Sequence, residues 1–398
     1  MRIGITGAFG FLGSNIAREA LARGHELVAF ASRRRAHPFL PAGSVELRDL
    51  RLGPEPPPTA AFAGLDAIVH AAGATSFRAA DARAVWDVNV LGSRALYEAA
   101  LDSGVARLVD LSSVNAVGSV GGRPADERGG MRYDRRYPCS FVGPDEALAA
   151  VAASAGGDYR FLRRSAVPYI DSKVAALELS RRYARERGLP LVTVYPGTAV
   201  GAGDLGGGIG RFVDMVWEGR LGIAPSGSTS YMDAGDFARG ALAALERGAI
   251  GEDYILAGET MSYAGFMALI RELAGGLGAG ESGAGGSGAG HGGRGRGPGR
   301  LGGRVAGRGG RGMRGIRGRR RAFVVPAAIG ILGAGIAERV LPGLGLYRAL
   351  AVSGAVRQAY DSSKAMRELG YKPERPLAES IRDCRRFSDI VRTMNDGV

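Results

Sequence analysis

Arg2-Ile3-Gly4-Ile5-Thr6-Gly7-Ala8-Phe9-Gly10-Phe11-Leu12-Gly13 joins an apolar run to a helical one through three spaced glycines. Residues 2–6 read as a short buried strand, and residues 14–23 carry Ile16, Ala17, Ala20 and Leu21 at helical spacing. The glycines therefore sit at a strand-to-helix turn, the context a dinucleotide fingerprint requires. Gly7 can take the tight turn, Gly10 lets the backbone approach a pyrophosphate, and Gly13 lets the helix pack close on the strand. The pyrophosphate then meets a helix N-terminus, where free N–H groups and the macrodipole favour negative charge. Phe9, Phe11 and Leu12 share the turn and count among the expected cofactor contacts. The expected fold is α/β, a doubly wound parallel sheet of the Rossmann type with a smaller C-terminal substrate lobe.

A second strand is expected over residues 25–31. A site that prefers NAD usually ends this strand with Asp or Glu on the ribose hydroxyls. Here Ala31 stands there, followed by Ser32, Arg33, Arg34 and Arg35. No carboxylate repels a 2′-phosphate and guanidiniums are at hand to bind one, so NADP is the expected cofactor, with NAD as the alternative. Asp49 and Leu50, after a third strand at 44–47, are expected beside the adenine. His70, Ala71 and Ala72 close the fourth strand with small residues where the backbone passes the cofactor. Asn89 is expected to open the next helix, either bracing it or supporting catalysis.

The chemistry is read from Ser113, Tyr169 and Lys173. Leu108–Ser113 reads as a fifth strand ending in two serines, and parallel α/β sheets place ligands beyond the carboxyl ends of their strands. In Pro168-Tyr169-Ile170-Asp171-Ser172-Lys173 the tyrosine and lysine are four residues apart on a helix, one turn from each other on one face. A phenol titrates near 10 and is a poor proton shuttle at neutral pH. An ammonium one turn away favours the phenolate. The lysine can also hold the nicotinamide ribose, and Ser113 can hydrogen-bond a substrate oxygen. The hydride comes from the cofactor, while the protein supplies position and electrostatics.

On these residues the chain resembles the extended short-chain dehydrogenase/reductases, of the NAD-dependent epimerase/dehydratase family. Thr6-Gly7-x-x-Gly10-x-x-Gly13 matches that family's cofactor turn, Leu111-Ser112-Ser113 with Gly118 its serine strand, and Tyr169-x-x-x-Lys173 its catalytic helix. The resemblance implies Ser113 rather than Ser112 as the catalytic serine. It also implies that Pro196 and Thr198, in Pro196–Asp204, lie in the cofactor loop after the sixth strand. Within the family the likeness is to dihydroflavonol-reductase-like and hopanoid-associated sugar epimerase proteins. It is carried by 242–248, 250–259 and Ser363–Tyr371. Ser113 and Tyr169 are 56 positions apart, which is long for the family. The extra residues, at about 125–165, are expected over the substrate mouth.

The expected division is a mainly cofactor-binding domain over 1–199, with that insertion, and a mainly substrate-binding lobe over 200–398. Strands return to the sheet near 191–194 and 254–256. The first strand begins directly after Met1, which predicts no signal or transit segment. Cys139 and Cys384 are the only cysteines and there are four histidines, so neither a disulfide framework nor a metal site is expected. The net charge of +13 is concentrated: residues 275–321 hold eleven arginines and one acid, which leaves +3 for the rest of the chain. That stretch is otherwise mostly glycine and is expected to be a disordered insertion. Contact of 294–321 with nucleic acid or an anionic membrane is the less favoured reading of it, since 275–321 has no aromatic residue to stack on bases. The apolar run 322–337, interrupted by Pro326, is too short for a membrane span and is expected to cover the substrate pocket.

The reading is an NADP-dependent oxidoreductase acting on a ketone, aldehyde or secondary alcohol of a small-molecule substrate. It is placed in the cytoplasm, with peripheral membrane contact as the alternative, and a homodimer is an admissible state. Its rivals are a nucleotide-sugar epimerase that retains NAD(P), a 3β-hydroxysteroid-type dehydrogenase, and a non-catalytic cofactor-, RNA- or membrane-binding protein that would not need Tyr169.

Overall fold

The computed structural model describes residues 1–31, 37–118, 123–127, 137–141, 143–205, 208–280, 322–340 and 347–396. Strand β1 (Arg2–Thr6) runs into helix α1 (Phe11–Ala22), followed by β2 (Glu26–Phe30), β3 (Glu46–Arg48) and β4 (Ala67–His70). Helices α2 (Ala82–Trp86) and α3 (Gly92–Ser103) are joined by a wide π-type turn at Asp87–Leu91. They lead to β5 (Arg107–Leu111), the one-turn α4 (Val114–Val117), α5 (Pro144–Ala155), α6 (Pro168–Arg187), β6 (Leu191–Pro196) and β7 (Thr198–Val200). Next come α7 (Ile209–Trp217), β8 (Ile223–Ala224), β9 (Ser228–Asp233), α8 (Ala234–Arg247), β10 (Asp253–Leu256), β11 (Thr260–Ser262) and α9 (Tyr263–Gly280). The chain closes with β12 (Phe323–Val324), α10 (Ala327–Val340), α11 (Arg348–Gly354), α12 (Ser363–Leu369) and α13 (Leu377–Asp396).

Seven strands form one parallel sheet in the order β10-β6-β5-β4-β1-β2-β3. The order reverses between β1 and β4, so the ligand crevice lies beyond their carboxyl ends. Strand alternation sorts the side chains. Ile3, Ile5, Leu27, Ala29, Val69 and Val109 face a core shared with α1 and α8. Val28, Phe30, Ile68 and Leu108 face a second core with Trp86, Leu96 and α6. Burial on both faces fits strands that read as apolar runs rather than as alternating ones. Helix α1 lies along α8, and Arg23 pairs with Glu246 across them at 3.0 Å. A third core joins Val200, Val213, Tyr231, Phe266, Ile270 and Ile381 under the small sheet β11-β9-β7.

Several boundaries differ from expectation. β2 is shorter than 25–31, and β3 starts at Glu46 rather than at 44. β5 ends at Leu111, so both serines stand just past it, where the chain bends into α4. Helix α9 continues to Gly280, into the stretch expected to lack structure, because Phe266, Met267 and Ile270 anchor its first turns. Residues 281–321 lie outside the described residues.

Of the extra residues, Tyr137 and Ser140 stand beside the serine loop and α6: Tyr137 OH donates to Asn115 C=O at 2.6 Å and Ser140 N–H to Asp171 Oδ1 at 2.7 Å. Ala147, Ala150 and Val151 of α5 belong to the same core as Trp86 and Ile170. The Trp86 ring lies 4.6 Å from Phe161 and 6.1 Å from Phe141, and its indole N–H donates to Ser154 Oγ at 2.9 Å. Residues 143–165 are thus part of the helical layer, held by an indole that buries a large apolar face and finds a partner for its one donor. Residues 128–136 lie outside the described residues. The run 322–337 forms β12 and most of α10, which has no buried residue and, among the described residues, packs chiefly on α11.

Candidate active site

The glycine turn is tight enough to explain each residue in it. Gly7 has φ +68°, and a Cβ there would sit 2.7 Å from Ala72 Cα. A Cβ on Gly13 would lie 2.1 Å from the Gly7 carbonyl oxygen. Gly10 N–H donates to Gly7 C=O at 2.8 Å and opens α1 without a side-chain cap. These residues fit a dinucleotide pyrophosphate: an uncapped helix start presents N–H groups, and glycine keeps the approach clear. Phe9 and Leu12 are half-buried against the α1–α8 core. Phe11 C=O accepts from Ser14 Oγ and from Asn15 Nδ2. Asn15 Nδ2 also reaches Ala202 C=O at 2.9 Å, tying the loop after β7 to α1.

A buried polar chain connects this turn to α6, the helix of Tyr169 and Lys173. Thr6 Oγ1 lies 2.8 Å from His70 Nδ1 and accepts the Ala72 N–H at 3.2 Å. His70 Nε2 lies 3.0 Å from Ser93 Oγ, which donates to Asn89 C=O at 2.8 Å. Burial first, and then the Lys173 ammonium, push His70 down to about 3, so it is neutral. With Ser93 donating onward, hydrogen-bond bookkeeping puts the imidazole proton on Nε2 and leaves Nδ1 to accept from Thr6. Asn89 donates to Ala74 C=O and to Ser172 Oγ, both at 2.9 Å, and accepts the Ala74 N–H at 2.7 Å. Ser172 Oγ donates to Tyr169 C=O at 2.7 Å. Asn89 does not open a helix. It sits in the π-type turn and braces the segment after β4 against α6.

Tyr169 and Lys173 are on the first turns of α6, which begins with Pro168 at its first position, where a missing N–H costs nothing. The Lys173 ammonium donates to Leu111 C=O, the last residue of β5, at 3.1 Å. Ser113 is two residues further on, buried, and its Oγ accepts the Asn115 N–H at 3.1 Å. Its own proton is left to donate. Ser112 Oγ is buried with no hydrogen-bond partner among the described residues. Tyr169 is half-buried, with its ring 5.8 Å from Phe77. A Cβ on Gly73 would come within 3.5 Å of Lys173 Nζ and 3.3 Å of Asn89 Oδ1, so the glycine turn's neighbour segment, Asn89 and Lys173 converge.

Asp49 is exposed just past β3, and Leu50 is buried. Ala71 and Ala72 run under Gly7, and Pro196 ends β6. Thr198 opens β7 with its hydroxyl 3.1 Å from Thr229 Oγ1. Ser32, Arg33 and Arg34 lie outside the described residues. Two groups escaped the sequence reading. Asp171, between the tyrosine and lysine, is buried and accepts from Ser140 N–H at 2.7 Å, Ser140 Oγ at 2.8 Å and Ser165 Oγ. Burial raises its carboxyl above the ordinary value, against those hydrogen bonds. An acid on the buried face of α6 was the available signal. Gln358 Nε2 donates to Asn115 Oδ1 at 3.1 Å, bringing the C-terminal part of the chain to the serine loop. It stands 243 residues away, and nothing local announces it.

Comparison with known proteins finds relatives in sequence and in fold. The NAD dependent epimerase/dehydratase family profile matches residues 3–167 and 140–257. Sterol demethylase protein B of Methylococcus capsulatus is 30% identical over 277 residues, covering 68% of this chain and 74% of that protein. A putative dihydroflavonol 4-reductase of Synechocystis is 28% identical, covering 68% and 72%. Among solved structures, a nucleoside-diphosphate-sugar epimerase from Pseudomonas aeruginosa superposes with TM-score 0.62 at 24% identity, covering 97% of each chain, a likeness of fold.

Proposed function

Since this chain belongs to the NAD dependent epimerase/dehydratase family, we propose that it is an NADP-dependent oxidoreductase that interconverts a carbonyl and a secondary alcohol through Ser113, Tyr169 and Lys173. The supporting observation is the Lys173 ammonium held at the end of β5, one helical turn from Tyr169 and beside Ser113. In this reading Ser113 donates to the substrate oxygen, Tyr169 passes it a proton, and Lys173 fixes the ribose and favours the phenolate. The bound nicotinamide supplies or accepts the hydride. The glycine turn and α1 hold the pyrophosphate, while Arg33 and Arg34 take the 2′-phosphate.

Reduction is preferred to epimerisation because curated relatives at 27–28% identity bear reductase names, whereas the solved epimerase superposes at 24% identity. The test is to supply NADPH with a panel of ketones and, separately, nucleotide sugars, and follow the reduced cofactor. Stoichiometric NADPH loss with a ketone supports the reading. A nucleotide sugar epimerised with no net cofactor loss refutes it.

Cofactor choice has its own test. Replacing Arg33 and Arg34 together by alanine is expected to weaken NADPH about ten- to a hundredfold, with little change for NADH, because only NADPH loses charge-assisted contacts. Binding titrations with both cofactors decide it. Equal loss for both removes the arginines from the cofactor site.

A further inference from the structure

Helix α6 starts without the usual support. Val167, the residue before it, gives no side-chain cap, and Tyr169 stands in the first turn, where helices fray most readily. That turn is held by Asp171, which is 1% exposed. Its carboxylate accepts from Ser165 Oγ, just before the helix, and from Ser140 N–H and Oγ at 2.7 and 2.8 Å. A buried carboxylate is costly unless donors surround it, and a negative group in a first turn also suits the macrodipole. Asp171 is two residues from both Tyr169 and Lys173, about 200° round the helix from either, so it points away from the face they share. The Lys173 bond to Leu111 C=O ties the helix to β5 one turn later, which leaves the first turn to Asp171.

The segment that Asp171 holds also reaches the serine loop. Tyr137, three residues before Ser140, is buried and donates to Asn115 C=O at 2.6 Å. The Asn115 N–H in turn donates to Ser113 Oγ at 3.1 Å. Three residue steps span at most about 10 Å, so the two anchors share one short tether. Phe141, next along, is buried with its ring 6.1 Å from Trp86, which gives the tether a fixed footing on α2. We propose that Asp171 is a positioning residue: with Ser140 and Tyr137 it makes residues 137–141 a strap that sets where Tyr169 stands relative to Ser113. The inference rests on the reading of those two as reacting groups. A misplacement of about 1 Å between reacting groups can cost about a hundredfold in rate.

Asp171→Ala and Tyr137→Phe cut the strap at opposite ends. Each is expected to lower kcat about ten- to a hundredfold, with cofactor affinity within about twofold of the parent. Because both cut one strap, the double variant should fall no more than about twofold below the slower single one, where independent losses would multiply. Turnover is read on whichever panel substrate the parent converts, so an epimerised sugar refutes the reductase reading and leaves this test standing. Hydrogen exchange needs no substrate: Asp171→Ala should speed the amides of 113–117 about tenfold and leave those of β1 and α1 unchanged. Should Asp171→Ala fail to fold, the double replacement of Ser140 and Ser165 by alanine, which keeps the carboxylate, takes its place. Losses that multiply in the double variant, or kcat within about threefold of the parent in either single one, overturn the proposal. So does exchange that stays slow at 113–117, or that quickens across the whole sheet.

Discussion

Replacing Tyr169 with phenylalanine is expected to cut turnover about 10²- to 10⁴-fold while leaving cofactor affinity nearly unchanged. The substitution removes one hydroxyl and keeps the ring, so the contact with Phe77 at 5.8 Å survives. Nothing in the network from Thr6 through His70 and Asn89 to Ser172 uses that hydroxyl: Ser172 bonds the Tyr169 backbone carbonyl, which any residue supplies. The Lys173 ammonium keeps its partner at Leu111. Turnover and cofactor binding would be measured on the same preparation. Activity within tenfold of the parent would remove Tyr169 from the reaction. Equal loss of cofactor binding would make its role one of binding.

The second large effect is expected from one methyl group at Gly13. In Gly13→Ala the new Cβ would meet the Gly7 carbonyl oxygen at 2.1 Å, and backbone rather than a flexible side chain must give way. Either α1 lifts off β1 or the turn opens, and both displace the N–H groups meant for the pyrophosphate. Overpacking of this kind costs about 3 kcal/mol. Cofactor affinity should fall at least about tenfold in the protein that still folds, because the helix start is no longer placed for the pyrophosphate. Gly53→Ala is the control: a Cβ there meets nothing within 4 Å, and its φ is not positive. Thermal melts and cofactor titrations on the two variants decide the matter. If Gly13→Ala behaves like Gly53→Ala, the tight turn is not what sets the cofactor site.

The sheet was legible because its strands are short apolar runs broken by glycines and followed by helical spacing. Each local signal there agrees with the tertiary role, as for Ile3 and Ile5 against Ile16. The proposed reacting pair was legible for the same reason, since Tyr169 and Lys173 lie one turn apart in sequence as in space. What escaped was decided at a distance or by context. The insertion was expected over the substrate mouth because its residues fall between Ser113 and Tyr169. Phe141 and Phe161 are claimed instead by Trp86, far upstream. The run 322–337 looked like a buried helix because apolar residues usually face inward. In α10 no residue is buried, and composition alone does not reveal that exposure. Gln358 reaches Asn115 through the C-terminal chain path, which no window of sequence contains.

The pairing of α1 with α8 sets the timing of the protein's assembly. Ile16, Ala17 and Ala20 are among the first apolar side chains to leave the ribosome, yet the surface that covers them, Phe237, Ala238 and Ala241, is translated more than two hundred residues later. At about 5–20 residues per second that is an interval of roughly 10–45 s in which the nascent cofactor helix has one face bare. Contacts this remote in sequence also slow folding after release. A chain stopped before residue 234 would carry the whole glycine turn on a helix packed on the sheet but with no α8 beside it.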